Sequence, residues 1–363
     1  MADRIVVTGS AGMLGGNLFR YLAGAGHDVV GVDVRGPDLR DADPADAGLH
    51  RVGDVRDVPF LTGVLRGAEA VVHCAGALPS YPAAEIRSVI VGGTAGVLEA
   101  ARLAGVPRVV HISSTAVYGL PAVVPTPEDH PREPVDPYTR AKAEAEEVAE
   151  KYRAEGMCVP ILRPKTFLGP GRMGLFAMLF EWAEEGRNFP IMGRGDVRIQ
   201  MFAIEDLVAA IALVLTAPPE IAGDTYNLAA AEFGTLRDDF QAVLDAAGHG
   251  KRVISLPARP ALAALALLER AHLSPVYGRL AHKLLADSYV SIDKARARLG
   301  FRPRLSNRDA ILRTYAWWRA HRAAAAGGQG DLEPAGRGSA RGPGRTSRDA
   351  WRQGALSLAK VFF

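Results

Sequence analysis

The sequence predicts an α/β protein, a doubly wound parallel sheet followed by a smaller, mostly helical C-terminal lobe. Three observations carry this expectation. The first 165 residues alternate short β-branched runs with helical stretches. A glycine-rich turn joins the first of those runs to the first helix. After Pro164 the alternation loosens into helices of uneven length. Continuous apolar strands need cover on both faces, and crossover helices of a parallel sheet provide it.

The elements follow in order. Residues 4–8 (RIVVT) read as a strand and 13–25 as a helix. Residues 28–33 (DVVGVD) form the second strand, 58–66 a helix, and 70–74 (AVVHC) a strand. Residues 86–104 carry apolar side chains at helical spacing and read as one long helix. A strand at 108–113, a charged amphipathic helix at 138–155 and a strand at 158–162 complete the alternation. Beyond it, 175–185 and 204–216 read as helices, 225–228 as a short strand and 236–247 as a helix. Residues 258–286 read as a long helical region interrupted at Pro275, and 309–321 as a closing helix with Trp317 and Trp318 as packing anchors. The expected plan is therefore a sheet domain at 1–165, with segments around 204–230 returning to it, and a lobe at 166–322. Residues 323–363, rich in Gly, Ala, Arg and Pro, bury too little apolar surface to offset ordering entropy and are expected to be a disordered basic tail.

Composition excludes several classes. Hydrophobic residues make up 48% and charged residues 23%, an ordinary globular balance. The formal charge is only +3, so no nucleic-acid partner is expected. Much of the basic excess lies in residues 337–363, where Arg337, Arg341, Arg345, Arg348, Arg352 and Lys360 face the single acid Asp349. The most apolar late stretch, 260–268, is far shorter than the ~20 residues of a membrane span, so no membrane partner is expected either. Asp3 and Arg4 immediately precede the first strand, which argues against a signal peptide. Cys74 and Cys158 sit in apolar runs and read as buried, reduced thiols of a cytoplasmic protein, with no metal set.

Chemistry enters with Val7-Thr8-Gly9-Ser10-Ala11-Gly12-Met13-Leu14-Gly15-Gly16. Gly9, Gly12 and Gly15 follow a strand and open a helix. A tight turn needs positive φ, a backbone approaching a pyrophosphate has no room for Cβ, and a helix N-terminus offers free N–H groups. Asp33 ends the second strand 18 residues after Gly15, where a carboxylate accepts from adenosine ribose hydroxyls. The same charge repels a 2′-phosphate, which favours NAD over NADP; Arg35, just beyond Val34, is the one feature that softens this preference.

A second constellation is Tyr138-Thr139-Arg140-Ala141-Lys142. Tyrosine and lysine at i and i+4 share a helix face. An ammonium beside a phenol stabilises the phenolate, so a group with pKa near ~10 becomes usable as a base. Ile112-Ser113-Ser114-Thr115 ends a predicted strand, and strand C-termini of a parallel sheet line the ligand crevice.

Together these residues resemble the extended short-chain dehydrogenase/reductase family, which comprises NAD-dependent sugar-nucleotide epimerases and dehydratases on a Rossmann sheet. The resemblance spans residues 4–322 and rests on TGSAGMLG at 8–15, GDVRD at 53–57, HCAGA at 73–77, ISSTAVYG at 112–119, YTRAK at 138–142, LRPKTFLGPG at 162–171 and SIDKARARLGFRP at 291–303. It implies Ser114, Tyr138 and Lys142 as the catalytic set, with Ser113 supporting. It implies that NAD is held by Gly9, Ala11, Gly12, Met13, Leu14, Gly15, Asp33, Val34, Arg35, Asp54, Val55, Cys74, Ala75, Gly76, Ala77, Ile112, Ser113, Tyr138, Lys142 and Pro164. Substrate contacts are expected from Ser80 and Tyr81 in the loop after the fourth strand and from Ser114, Arg172 and Arg198. Of the loop cations Arg172, Arg194 and Arg198, the last is the best single phosphate candidate. His111 reads as a strand residue below the site.

Two departures from the family pattern matter. The dehydratases carry Thr-Asp-Glu where this chain has Ser114, Thr115 and Ala116, so a 4,6-dehydratase is disfavoured. Relatives usually place Asn at the position of Ile90. The leading expectation is an epimerase of a nucleoside-diphosphate sugar, acting at C4 through a keto intermediate. The alternatives are a net dehydrogenase or ketoreductase of a keto sugar or hydroxysteroid-like alcohol, and a non-catalytic NAD-binding sensor. The resemblance also implies a homodimer.

Overall fold

Strand β1 (Arg4–Thr8) is buried on both sides: Ile5 and Val7 belong to one apolar cluster and Val6 to another. A period of two with both faces apolar is what a sheet covered by two helical layers requires. The computed structural model describes residues 3–36, 49–120, 123–171, 176–260, 263 and 285–327. They fall into two compact units, one from Met1–Phe167, Phe202–Ala231 and Val290–Arg304, the other from Leu168–Met201, Glu232–Tyr289 and Leu305–Phe363.

In the first unit, β1 continues through α1 (Met13–Gly24), β2 (Asp28–Asp33), β3 (His50–Val52), α2 (Val58–Leu65), β4 (Ala70–His73), α3 (Ala83–Arg87) and α4 (Gly93–Ala104). Then come β5 (Val109–Ile112), α5 (Pro137–Ala154), β6 (Ile161–Pro164), β7 (Phe167–Leu168), β9 (Phe202–Ala203), α7 (Ile204–Thr216), α8 (Pro219–Ala222) and β10 (Thr225–Leu228). Strands β10-β6-β5-β4-β1-β2-β3 make one seven-stranded sheet, parallel throughout. Strand β1 pairs with both β2 and β4, so the strand order reverses there, and the crevice above that point is where such sheets bind ligands. Helices α1 and α7 cover one face with Leu14, Leu18, Phe19, Leu22, Leu207 and Ile211; α2 and α4 cover the other with Leu61, Leu65, Val97 and Leu98.

Several expectations needed correction. The stretch read as one helix at 86–104 is three pieces: α3, a π-helical turn at Ser88–Gly92, and α4. The strand read at 158–162 runs instead from Ile161, with only an isolated bridge at Cys158, because Pro160 has no N–H to give the ladder. Edge strand β3 was not anticipated; its residues are half-buried or exposed and carry no apolar signal. Both cysteines are free thiols, but each is half-buried rather than buried.

The second unit contains α6 (Phe176–Glu184), β8 (Phe189–Met192), α9 (Leu236–Ala247), β11 (Val253–Leu256) and, after α10 of the first unit (Asp293–Leu299), the long α11 (Asn307–Gly327). The parallel pair β8–β11 was missed because each strand is only four residues long, β8 buried on alternate residues and β11 fully buried at Val253 alone. Phe180, Trp182, Phe189, Phe240, Tyr315 and Trp318 form an aromatic core with ring centroids 5.2–6.2 Å apart. Trp318 anchors that core as expected, whereas Trp317 is half-buried and stacks on His321. Helix α11 extends to Gly327, so residues 323–327 are helical rather than part of a disordered tail; their alanines favour helix propagation. Residues 328–363 and most of the region 258–286 lie outside the described residues.

Asn307 ties this unit together. Its Nδ2 donates to the Ile199 carbonyl and to Asp239 Oδ2, and its Oδ1 accepts from the Met201 N–H. Asp239 is buried, and burial pushes its carboxyl up to about 6, with Asp238 adding to the effect. The folded-state value is raised, so stability falls as pH climbs from about 4 to about 6 and the penalty is complete above that. Asp239→Asn, which keeps an acceptor for Asn307, is expected to be more stable than the parent by about 1–2 kcal/mol at pH 7.5 and equal to it near pH 4. Paired urea melts at the two pH values check this.

Candidate active site

Two glycines in the β1–α1 turn are fixed by contact rather than by flexibility alone. Gly9 has φ +72°, and a Cβ there would lie 2.6 Å from the Ala75 nitrogen at the end of β4. A Cβ on Gly15 would stand 2.1 Å from the Gly9 carbonyl oxygen, so α1 presses directly on the turn. Helix α1 begins after Gly12, which offers no side chain to cap it, and its first turn carries no acid. Its N–H groups and positive dipole end therefore face the crevice, a surface suited to a pyrophosphate. Asp33 closes the turn from the side: Oδ2 accepts from the Ala11 N–H at 3.1 Å and Oδ1 from the Arg35 N–H at 3.1 Å. Arg35 folds back, its Nη2 donating to the Ala11 carbonyl. Val34 is exposed beside them.

The residues expected beside the adenine differ in their surroundings. Asp54 is gripped by Arg56 through the backbone N–H, Nε and Nη2, which holds its carboxyl below the usual range. The Val55 side chain is in the core, packed under Gly93 of α4. Cys74 and Ala75 are half-buried, Gly76 is exposed and Ala77 is buried. Ser80 and Tyr81 are exposed in the following loop.

Lys142 of α5 is tied to the end of β5, just before Ser114. Ser114 follows β5 in extended conformation and caps a 3-10 turn at Thr115–Tyr118, its Oγ accepting from the Ala116 N–H. Helix α5 starts at Pro137, a residue that costs no hydrogen bond at that position, behind a capping box of Asp136 and Thr139. Tyr138 is half-buried on its first turn. One turn on, buried Lys142 donates from Nζ to the Ile112 carbonyl at 2.8 Å, tying α5 to the residue two before Ser114. Burial pushes the Lys142 ammonium down to about 8, with Glu146 opposing.

A second set of groups beneath the site was not anticipated. Glu146 and Arg163 form a buried bidentate pair at 2.9 and 2.6 Å. Glu146 also accepts from Ser113 Oγ, and Arg163 donates to Tyr118 Oη, which itself donates to Asn227. His73 bridges Thr8 Oγ1 at 2.8 Å and Thr94 Oγ1 at 3.3 Å, and burial holds it down to about 3. His111 lies beside His73 with ring centroids 5.8 Å apart, buried as a strand residue and held well below its ordinary value. Thr94 also donates to the carbonyl of Ile90, inside the π-helical turn. The remaining candidates are dispersed. Pro164 ends β6, buried. Arg198 belongs to the second unit, where its guanidinium lies over the rings of Phe233 and Tyr289 at 4.7 and 5.4 Å. Arg194 pairs with Asp196 on the surface, and Arg172 lies outside the described residues. Among the described residues no group of three or more acids, histidines or cysteines is placed to hold a metal, and no helix is long and apolar enough to cross a membrane.

The sequence profile of the NAD dependent epimerase/dehydratase family matches residues 5–229. The chain belongs to this family. Its glycine turn, uncapped α1 and Asp33 fit the family's cofactor, NAD. A UDP-glucose 4-epimerase of Mycolicibacterium smegmatis is 33% identical over 68% of the chain and 83% of its own length. A 3 beta-hydroxysteroid dehydrogenase/Delta 5-->4-isomerase of Mycobacterium tuberculosis is 29% identical over 85% of the chain and 88% of its own. Among solved structures, a dTDP-glucose 4,6-dehydratase of Streptomyces venezuelae with NAD bound is 28% identical, covers 88% of the chain and 98% of its own, and superposes with a TM-score of 0.69.

Gly15→Ala tests the turn. The added methyl meets backbone that has nowhere to go, so NAD affinity is expected to fall at least about tenfold, with a cooperative melt retained. Isothermal titration with NAD beside a thermal melt separates loss of binding from loss of fold.

Proposed function

We propose that this protein epimerises a nucleoside-diphosphate sugar at C4. The reading rests on one observation above others: Tyr138 and Lys142 are one turn apart on a helix bonded to the strand end that presents Ser114. Gly9, Ala11, Gly12, Met13, Leu14, Gly15, Asp33, Asp54, Ala75 and Pro164 are the residues that would hold NAD. When bound, NAD supplies reversible hydride exchange with a sugar carbon. Tyr138 takes the proton of the sugar hydroxyl while that carbon is oxidised, and returns a proton once the ketone has been reduced on its opposite face. Lys142 holds the phenolate by its charge. Ser114 donates to the sugar oxygen through both halves. Thr115 and Ala116 stand where dehydratases carry Asp and Glu, which leaves no acid pair to eliminate water.

A second reading, net oxidation of a hydroxysteroid-like alcohol, is supported by the breadth of similarity to the mycobacterial steroid dehydrogenase, which covers more of the chain than the epimerase does. The two differ in redox balance. UDP- and dTDP-sugars incubated with the NAD-loaded protein should yield epimers, read by NMR, with no net NADH; unchanged sugars, with a 3β-hydroxysteroid giving stoichiometric NADH and a released ketone, would select the second reading.

Tyr138→Phe is expected to lower kcat by about 100-fold or more while NAD affinity stays within about twofold. An active Tyr138→Phe protein would sink the mechanism. The pH profile supplies a further check. The reaction needs the Lys142 ammonium, and its value is depressed to about 8, so kcat should fall as pH rises through about 8. An ordinary lysine would keep its charge to pH ~10. A plateau extending to pH 10 contradicts this role for Lys142.

A further inference from the structure

Helix α5 carries a third buried ionisable group besides Tyr138 and Lys142. Glu146 stands one turn past Lys142 with no exposed surface. Its carboxylate accepts from Ser113 Oγ at 2.5 Å, from Arg163 Nε at 2.9 Å and Nη2 at 2.6 Å, and from Arg132 Nη1 at 3.2 Å. Ser113 lies between Ile112, whose carbonyl receives Lys142 Nζ, and Ser114. One ammonium and one carboxylate on the same helix face thus grip consecutive residues at the end of β5. Arg163 extends the grip past Ser114, because its Nη1 donates to Tyr118 Oη at 2.7 Å in the 3-10 turn that Ser114 caps.

A buried ion pair needs no serine to satisfy it, and a strand end needs no carboxylate. Their combination here joins the two segments that must be in register for the chemistry. We propose that Glu146 is a positioning residue of the reaction: it locks the strand end bearing Ser114 to the helix bearing Tyr138 and Lys142, and its charge keeps Lys142 an ammonium. This rests on the Ser114/Tyr138/Lys142 reading of the site.

The groups around Lys142 support the electrostatic half. From β4 come His73, held down to about 3, and, just past the strand, Cys74, whose thiol burial pushes up to about 12. From β5 comes His111, held well below its ordinary value. All three are neutral near pH 7. Glu146 and Cys74 are the groups that act to raise Lys142, and burial keeps the Cys74 thiol neutral at that pH. Arg163 and Arg132 are bound to the carboxylate itself.

The test reads Lys142 directly. NAD-saturated protein labelled with [ε-13C]lysine has seven lysines to resolve, and the Lys142 signal is the one lost in Lys142→Arg. Glu146→Gln is expected to lower the Lys142 titration midpoint by about one pH unit or more. Glu146→Asp, one methylene short of Ser113, should keep the midpoint near the parent's but lower kcat on UDP-glucose about tenfold. Ser113→Ala removes only a neutral donor; it should fold, leave the midpoint unchanged and lose a similar factor in kcat. An unmoved midpoint in Glu146→Gln overturns the electrostatic half, and parental kcat in both Glu146→Asp and Ser113→Ala overturns the positioning half. Should Glu146→Gln fail to fold with Arg163 left uncompensated, the double variant Glu146→Gln/Arg163→Met, which removes both members of the pair, reads the midpoint in its place, and an unmoved midpoint there overturns the electrostatic half. The titration needs no turnover: a parent inactive on every nucleotide sugar, yet with the predicted midpoint shift, would refute the proposed reaction and leave the Lys142–Glu146 coupling standing.

Discussion

Seven strands running parallel leave all their carboxyl ends on one edge, and the first unit's candidate cofactor and serine residues follow those ends. Gly9 follows β1, Asp33 ends β2, Ala75 follows β4, Ser114 follows β5 and Pro164 ends β6. The sheet reverses order at β1, so the turns after β1 and β4 meet at close range, as the contact between Gly9 and Ala75 records. Because both faces are dry and apolar, the register of each strand is fixed, and with it the position of every residue presented at the edge.

Buried charge sets the second constraint. Taking Glu146 and Arg163 out of water is costly, and their bidentate geometry, with hydrogen bonds from Ser113 and to Tyr118, offsets that cost while the two charges face each other. The same enclosure keeps His73 and His111 neutral and makes Lys142 a weaker base than a surface lysine. Acid–base behaviour here follows from how thoroughly α5 is sealed against β5, so packing and reactivity cannot be varied independently.

The residues that were legible in the sequence are those whose meaning is local. Helix 204–216, strand 225–228 and helix 236–247 were found with their boundaries, because periodicity is a property of neighbouring residues. The glycine turn, Asp33 and the Tyr138/Lys142 pair were found by spacing for the same reason. Glu146 was not, because it sits among Glu144, Glu147 and Glu150 on a helix that reads as a solvated face, and only the fold shows which acid points inward. Its partners Arg163 and Ser113 lie 17 and 33 residues away, beyond any local pattern. The π-helical turn at Ser88–Gly92 was hidden for the opposite reason: its apolar residues fit an uninterrupted helix equally well.

Asp33 holds its own turn as well as being the proposed partner of a ribose. One oxygen fixes the Ala11 amide and the other the Arg35 amide, while Arg35 reaches back to Ala11. Redesigning this protein for a 2′-phosphorylated cofactor would begin by removing that carboxylate, and the same change would unpin the loop on which any dinucleotide must rest. Cofactor preference and loop rigidity are therefore one heritable trait in this chain. A switch would have to arrive as a coordinated set, with a new donor or acceptor for the Ala11 amide appearing together with the cation that greets the phosphate.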